Sequence, residues 1–297
     1  MNNAFEYIKY FLEKTNGDIN AFDKFSDDIK KVCKYSDDLN NISEIYKETK
    51  NNNNAADLCE ALAKKSDTHI FTVMAITFII SSEWMKDEYL KKGCPENIFW
   101  ATVADYNMKI KECINLHGIW GIFTYNWYNI FFETRIFALG RLQYEIKTFE
   151  GKTSYKLGKY TLNPQDDVCY VHIPSSGPLT RESRISSYRQ AYEFFKKDNN
   201  PLFLSCHSWL LYEDNKKFIP PHLNLADFIK DWQIVENFPN PEFPDCWRLF
   251  GKDYNNDPKS LPRDNTLRRA FAEWLEKGNL VGSGLGIMAI DEENIIK

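Results

Sequence analysis

The chain has 297 residues, of which 43% are hydrophobic and 27% charged, and its formal net charge is −5. This composition is typical of a soluble globular protein with a sizeable core, and the length suits about two domains. The acidic balance, without any block of lysines and arginines, argues against nucleic acid as a partner. The most apolar run, Ile70 to Ile80, covers 11 residues. A membrane span needs about 20 residues, so a buried helix and no membrane insertion are predicted.

The seven cysteines are scattered along the chain, and no two of them form a C-x-x-C pair. Their odd number and wide spacing predict reduced thiols and not a disulfide framework. With no secretory signal peptide at the start of the sequence, we expect a cytoplasmic protein. The five histidines show neither H-x-x-x-H spacing nor clustered carboxylates, so no metal site is predicted.

The first part of the chain has the periodicity of amphipathic helices. Apolar residues follow i, i+3, i+4 spacing at Phe5, Ile8, Phe11 and Leu12. Further helices are predicted over residues 21–34, 39–50, 55–65, 68–92 and 95–116. The pattern therefore predicts a helical domain over residues 1–118.

The remaining residues, 119–297, show strands that alternate with helices. The segment "GRLQYEIKTFE" alternates polar and apolar residues, and "EGKTSYKLG" after it predicts a hairpin turn and a second strand. The further elements predicted are a strand over 168–173, a helix over 182–197, a strand in "PLFLSCHSWLLYED" and helices over 223–235 and 265–277. Such alternation predicts an α/β or α+β domain. The glycines of the late "GSGLG" are predicted to permit close backbone packing, since the segment lacks the strand–loop–helix order of a dinucleotide site.

A short turn separates the strand that ends near His172 from the helix that follows it. The turn contains Ser175, Ser176 and Gly177, and two arginines come after it, Arg181 and Arg184. Backbone N–H groups at a helix N-terminus bind anions, so the turn is a candidate phosphate site. The alternative is an ordinary connection in which Thr180 or Ser183 caps the helix.

Two histidines on predicted strands are candidates for acid–base chemistry. His172 ends one strand and His207 lies on the next, and an imidazole can accept a proton near neutral pH. If the strands are neighbours, both side chains can face one cleft; the alternative for each histidine is a structural role. Cys206 precedes His207, but adjacent strand residues point to opposite faces. A cysteine hydrolase would therefore need Cys206 to act with His172, and a buried, inert thiol is the alternative.

Four stretches, "GRLQYE", "VHIPSSGPLT", "CHSWLL" and "GSGLGI", together resemble a family of bacterial two-domain acyltransferase-like proteins. The resemblance covers nearly the whole chain. Members combine a helical N-acyltransferase N-terminal domain with a GNAT-like C-terminal domain. The resemblance implies an α+β protein, with the helical domain followed by a GNAT-like α/β domain that has a mixed, mainly antiparallel sheet.

The same resemblance implies acyl-CoA or acetyl-CoA as cosubstrate and no metal. In the fold, an Arg/Gln-x-x-Gly-x-Gly/Ala loop binds the pyrophosphate, and "PSSGPL" takes its place here. Pro174 stands where the family has Arg or Gln, and Leu179 stands where it has a small residue. The residues expected to bind the cofactor are Ile173, Ser175, Ser176, Gly177, Leu179, Arg181 and Arg184.

For catalysis, the resemblance implies direct transfer of an acyl group to a small amine. His172 and His207 fall on the two strands that separate to admit the acyl group. Glu145 is a candidate base or amine ligand, and Tyr212 is the nearest substitute for the usual general-acid tyrosine. The alternative from another class is a binding protein that kept the fold and lost the cofactor loop.

Overall fold

The computed structural model describes residues 4–50, 53–196 and 201–297. The chain forms two compact units. The first runs to Ala138 and includes Pro174–Ser176, and the second comprises Leu139–Ile173 and Gly177–Lys297. The division thus falls after Ala138 and not after residue 118. The reason is aromatic packing within the first unit, where the ring centroids of Tyr128 and Phe78 are 4.6 Å apart and those of Phe132 and Tyr46 are 4.3 Å apart.

The first unit is built from helices. They are α1 (Ala4–Thr15), α2 (Ile19–Lys24), α3 (Ser26–Cys33), α4 (Ser36–Thr49), α5 (Asn53–Ser66), α6 (Ile70–Lys91), α7 (Glu96–Val103), α8 (Asp105–His117) and, after a 3₁₀ turn at Tyr125–Tyr128, α9 (Asn129–Phe132). A short strand, β1 (Ile136–Leu139), follows at the boundary of the two units. The helical class predicted for this region is confirmed.

Helix α6 is the centre of the first unit. Its residues from Thr72 to Ser82 are all buried, because the segment is apolar on every side and packs against α1, α3, α4, α5, α7 and α8. Among the described residues, no single helix is both long and apolar enough to cross a membrane. The pair Ala55–Ser66 and Ile70–Lys91 passes that test together, with a bend of 117° between them.

Two of the predicted helices are interrupted in the structure. The helix predicted over 21–34 divides into α2 and α3 at Phe25, whose ψ of 12° turns the chain. The helix predicted over 95–116 divides into α7 and α8 at Ala104. In both cases an acidic residue, Asp27 or Asp105, lies in the first turn of the second helix, where it stabilises a new helix start.

The second unit contains a mixed sheet with helices. The strands are β2 (Leu142–Thr148), β3 (Tyr155–Leu157), β4 (Tyr160–Leu162), β5 (Asp167–His172), β6 (Leu202–Ser208), β7 (Gln233–Asn240), β8 (Val281–Ile290) and β9 (Ile295–Ile296). The helices are α10 (Arg181–Phe195), α11 (Asn215–Phe218), α12 (Asn224–Lys230), α13 (Cys246–Phe250) and α14 (Thr266–Glu276). Short 3₁₀ helices lie at Trp209–Leu211, Gly251–Asp253 and Pro258–Ser260.

The strand order in this unit is β2-β5-β6-β8-β7, with β9 beside β8. Only β5 and β6 pair in parallel among these described strands, and the other pairs are antiparallel. The predicted α+β class with a mixed, mainly antiparallel sheet is therefore confirmed. One face of the sheet packs under the β3–β4 hairpin, where Leu157 and Leu162 meet Val168 and Ile287.

Three details of the second unit differ from or refine the sequence-based predictions. The helix predicted over 223–235 ends at Lys230, because the chain from Gln233 onward pairs with β8. The strand predicted after β2 pairs with β4 in a separate hairpin. The close packing predicted for the "GSGLG" glycines is confirmed: a Cβ on Gly284 would lie 2.1 Å from the carbonyl oxygen of Leu211.

Candidate active site

The two parallel strands separate towards their carboxyl ends. Their paired positions are Cys169 with Leu204 and Tyr170 with Ser205. β5 continues to His172 and β6 to Ser208, yet among the described residues the two strands form no pairs beyond Tyr170 and Ser205. A gap therefore opens in the sheet between the ends of β5 and β6.

A carboxylate and an imidazole meet at the edge of this gap. The β2–β5 register places Glu145 opposite Tyr170 and Gln143 opposite His172, which puts these four side chains on one face. His172 Nε2 lies 3.0 Å from Glu145 Oε2. The His172 side chain is 22% exposed and that of Glu145 only 8%. The sheet register thus holds a half-buried imidazole against a buried carboxylate.

His207 lies on the neighbouring strand and makes a different contact. Its Nε2 atom is 2.7 Å from the Ser283 hydroxyl, and its ring centroid is 5.0 Å from that of Phe238. Partial burial lowers the pKa of the His207 imidazole, so the ring is held neutral over a wider pH range. Both histidines are on neighbouring strands, as the cleft hypothesis requires; His172 contacts the Glu145 carboxylate, whereas His207 contacts the Ser283 hydroxyl.

The thiol of Cys206 is buried on the other face of β6. The residue is 1% exposed, and burial raises the pKa of its thiol far above the ordinary value. The nucleophilic form of cysteine is the thiolate, so this group is unreactive near neutral pH. The structure argues against a hydrolase that uses Cys206.

Tyr212 follows the 3₁₀ helix after β6 and is 6% exposed. Burial raises the pKa of its phenol, which keeps the hydroxyl protonated. A protonated phenol is the state that a proton donor requires.

The loop between β5 and α10 is shaped by a glycine and an arginine. Gly177 has a φ of +107°, a conformation that other residues rarely adopt. Arg141 donates from Nη2 to the Gly177 carbonyl at 2.8 Å and from Nε to the Pro178 carbonyl at 3.2 Å. Its third nitrogen, Nη1, is buried and has no hydrogen-bond partner among the described residues.

Arg141 was not singled out from the sequence, although it lies in the "GRLQYE" stretch. Within the alternating pattern of β2 it resembles an ordinary exposed strand residue. Burial lowers the pKa of its guanidinium, but arginine remains charged in proteins. A buried donor without a partner, next to a loop with a positive-φ glycine, marks a place where an anion can bind.

The two predicted cofactor-binding arginines occupy different environments. Arg181 is exposed and lies 3.8 Å from Asp227 Oδ2. Arg184 is fully buried and donates to three groups: Asp231 (Nε to Oδ2, 2.7 Å), Asp227 (Nη2 to Oδ2, 2.9 Å) and the Leu179 carbonyl (Nη1, 2.7 Å). Its guanidinium therefore fixes the end of the loop from inside the unit.

The start of the same loop, Pro174–Ser176, is grouped with the first unit. There the Ser175 hydroxyl donates to Glu112 Oε1 at 2.6 Å, and Ser176 is exposed. Ile173 and Leu179 are half-buried at the two ends of the loop. Thr180 caps α10 by accepting from the Ser183 N–H at 3.2 Å, which confirms the capping interpretation for this residue.

Within the described residues, no three His, Cys, Asp or Glu side chains are arranged to hold a metal ion.

Two family models match the chain. The model described as the N-acyltransferase N-terminal domain matches residues 8–134, and the GNAT-like C-terminal domain matches residues 136–288. The chain belongs to this two-domain acyltransferase-like family. No curated protein sequence matches it.

Solved structures with this fold include an acyltransferase in complex with decanoyl-CoA and teicoplanin, which is 20% identical with a TM-score of 0.61. Others are an acyltransferase mutant with octanoyl-CoA and an acyltransferase with CoA and 10C-teicoplanin, each 19% identical with a TM-score of 0.61. Each match covers 72% of this chain and 65% of the other. At this identity the likeness establishes the fold of the acyltransferase-like family.

Proposed function

We propose that the protein is an acyl-CoA-dependent N-acyltransferase that holds the acyl thioester in the gap between β5 and β6. The observation that carries this proposal is the loss of pairing beyond Tyr170 and Ser205, with the Glu145–His172 contact beside it. Unpaired backbone groups at the gap can hydrogen-bond an extended pantetheine arm, as an added strand would. The similar structures that contain acyl-CoA support the same donor.

The pyrophosphate is proposed to bind at the loop before α10. Within the second unit, the backbone N–H group of Gly177 and the N-terminus of α10, a helix of 15 residues, provide donors. Arg141 contributes its unpartnered Nη1, and the exposed Arg181 adds positive charge. Arg184 positions the loop through the Leu179 carbonyl, while Ile173 and Leu179 flank it with apolar surface.

The reaction proposed is direct attack of an amine on the thioester carbonyl. His172 accepts the proton that the amine loses as the new C–N bond forms, and the Glu145 carboxylate orients the ring and stabilises the imidazolium. The C–S bond then breaks, and Tyr212 gives its proton to the departing thiolate of CoA. His207, with its ring on the neighbouring strand, is proposed to orient the acceptor.

The acceptor is proposed to be a small primary amine, and the acyl donor acetyl-CoA or a longer acyl-CoA. In two of the similar structures the second molecule is teicoplanin or 10C-teicoplanin, so an acceptor larger than a simple amine is the alternative to test. The rival class, a binding protein without cofactor, rests on the loop sequence, where Pro178 has no N–H to donate.

The first test measures the affinity for acetyl-CoA, decanoyl-CoA and free CoA through the rise in melting temperature that each ligand causes. The second test measures release of the CoA thiol in the presence of each of a panel of amines. Saturating ligand at 100 times Kd should stabilise the protein by about 2.7 kcal/mol. Arg141→Gln should weaken binding about tenfold or more, because a charge-assisted hydrogen bond to phosphate is lost.

The matched control is Arg189→Gln, since Arg189 also donates to backbone carbonyls, those of Asp291, Glu292 and Glu293. Its loss should change stability and leave acyl-CoA affinity nearly unchanged. A wild-type protein that gives no shift with any of the three ligands would support the binding protein and contradict the transferase.

A further inference from the structure

A small cavity lies within the first unit, among helices α1, α2 and α8. Its volume is about 160 Å³, and its wall includes Leu12 of α1, Ala21 of α2, Ile110 of α8 and the ring of Trp120. Leu12, Ile110 and Trp120 are almost completely buried, so this part of the wall is apolar. An apolar cavity of about 150 Å³ can bind benzene, and this cavity therefore has room for a six-membered ring.

A buried polar side chain, that of Asn107, also lines this cavity. Asn107 is 9% exposed, and its Nδ2 donates to the Thr15 carbonyl at 3.0 Å. Because a carbonyl oxygen can only accept, the amide nitrogen must face Thr15, which turns Oδ1 to the other side. Asn107 Oδ1 is buried and has no hydrogen-bond partner among the described residues. Buried polar atoms in native proteins are nearly always hydrogen-bonded to protein, water or ligand, so this oxygen requires a donor.

A glycine between α1 and α2 allows the backbone to approach this acceptor closely. A Cβ on Gly17 would lie 2.7 Å from Asn107 Oδ1 and 2.4 Å from Leu12 Cδ2. Any larger residue at this position would displace the Asn107 carboxamide or the Leu12 side chain, because neither distance is possible for a real contact. The glycine backbone therefore helps to hold both side chains at the wall of the cavity.

The charged residues of the cavity lie at its mouth. Asp18 and Lys111 line it, are exposed and carry opposite charges. A charged ligand group placed against the apolar wall would lose its hydration without gaining an ion pair, so the interior favours a neutral ligand. A buried water molecule needs several polar partners, and the buried wall, as far as the structure describes it, offers the Asn107 side chain alone. An apolar ligand with one hydrogen-bond donor fits this wall better than water does.

We propose that this cavity binds a small neutral molecule that combines an apolar ring with one hydroxyl or N–H group, of which phenol is the simplest example. The donor of the ligand hydrogen-bonds to Asn107 Oδ1, and its ring packs against Leu12, Ile110 and the indole of Trp120. All of these residues belong to the first unit. The proposal is therefore independent of the proposed transferase function, and binding can be measured without any acyl-CoA.

The experiment is a titration of the full chain with phenol, in which the melting temperature is measured at each concentration. Benzene and pyridine, the latter in its neutral form at slightly alkaline pH, serve as ligand controls. Benzene has the ring without a polar group, and pyridine accepts a hydrogen bond but does not donate one. We expect a saturable rise in melting temperature with phenol. The apparent affinities for benzene and pyridine should be at least about tenfold weaker, because neither donates to Asn107.

Two substitutions test whether the phenol response arises in this cavity. Asn107→Leu removes the acceptor and keeps the approximate size of the side chain, so it should weaken the apparent affinity for phenol at least about tenfold. Ala21→Leu fills the cavity and leaves Asn107 in place, and it should weaken the affinity by at least as much. This second variant keeps the test decisive if Asn107→Leu does not fold. Its matched control is Ala101→Leu on the exposed side of α7, which should keep the phenol response.

Three results would overturn the proposal and leave ordered water as the partner of Asn107 Oδ1. The first is a wild-type protein without a saturable phenol response, and the second is an equal response to benzene or pyridine. The third is a phenol response that is unchanged in Asn107→Leu or Ala21→Leu. The decanoyl-CoA response, measured on the same samples, reports separately on the transferase proposal.

Discussion

Replacing His172 with glutamine should lower kcat by roughly 10²–10⁴-fold, the range typical of removing a general base. The affinity for acyl-CoA should stay nearly unchanged, because the imidazole accepts a proton from the amine and is not proposed to hold the donor. Glu145→Gln should reduce kcat in the same direction, since the Glu145 carboxylate lies 3.0 Å from His172 Nε2 and orients the ring. Initial rates of thiol release and acyl-CoA affinity, measured on the same preparation, give both quantities.

The matched control for this substitution is His207→Gln on the neighbouring strand. Because the His207 ring pairs with the neutral Ser283 hydroxyl, its loss should reduce the rate much less. Melting temperature separates a catalytic effect from a structural one, because a lost buried hydrogen bond alone costs about 1–3 kcal/mol. A folded His172→Gln protein that turns over at the wild-type rate would remove His172 from the mechanism and leave Glu145 as the base.

Replacing Arg184 with methionine should lower the free energy of unfolding by about 3–5 kcal/mol, because it leaves the buried Asp231 carboxylate without its cation. Arg184 is fully buried, and the side chain of Asp231 is 7% exposed. The substitution also removes the hydrogen bond to the Leu179 carbonyl, so KM for acyl-CoA should rise as the loop loosens. Chemical denaturation and steady-state kinetics measure the two effects.

Arg181→Met is the control, since Arg181 is 71% exposed and lies 3.8 Å from the same Asp227 carboxylate. An exposed pair contributes about 0–1 kcal/mol, so this variant should be nearly as stable as the wild type. If Arg184→Met lowers the free energy of unfolding no more than Arg181→Met does, the result would contradict the stabilising role assigned to the buried Arg184 guanidinium.

The ion pair between Arg184 and Asp227 makes the stability of the protein depend on pH. The hydrogen bond from Arg184, with its charge, lowers the pKa of the Asp227 carboxyl below the ordinary value. A carboxyl with a depressed folded-state pKa stabilises the protein above its unfolded pKa of about 3.9, and this contribution is lost as pH falls through the folded-state pKa. The acid-side loss of stability should therefore be smaller in Arg184→Met than in the wild type.

Local patterns predict the elements of this protein better than their contacts. Helix α1 follows from a period of 3.6 and strand β2 from a period of 2, whereas α6 follows from an apolar run. The Glu145–His172 contact joins residues 27 apart in sequence and depends on the register of β2 with β5. Nothing in a single strand specifies that register, so both residues were candidates without a predicted contact between them.

Arg184 shows what the sequence could have indicated. An arginine after a glycine turn has the same appearance whether it faces phosphate or the core, and its partners Asp227 and Asp231 lie 43 and 47 residues away. Its position on α10 was nevertheless informative. The buried residues Ser187, Tyr188 and Ala191 follow Arg184 at i+3, i+4 and i+7, which places it on the buried face.

The central claim is that the acyl donor occupies the gap between β5 and β6, and hydrogen exchange measures this most directly. Backbone amides at the ends of these strands, residues 171–173 and 206–208, should exchange more slowly when decanoyl-CoA is bound, as should those of the loop 175–180. The β3–β4 hairpin, Tyr155–Leu162, serves as the internal reference and should be unchanged. Protection that appears elsewhere in the chain and leaves residues 171–173 and 206–208 unaffected would contradict the claim.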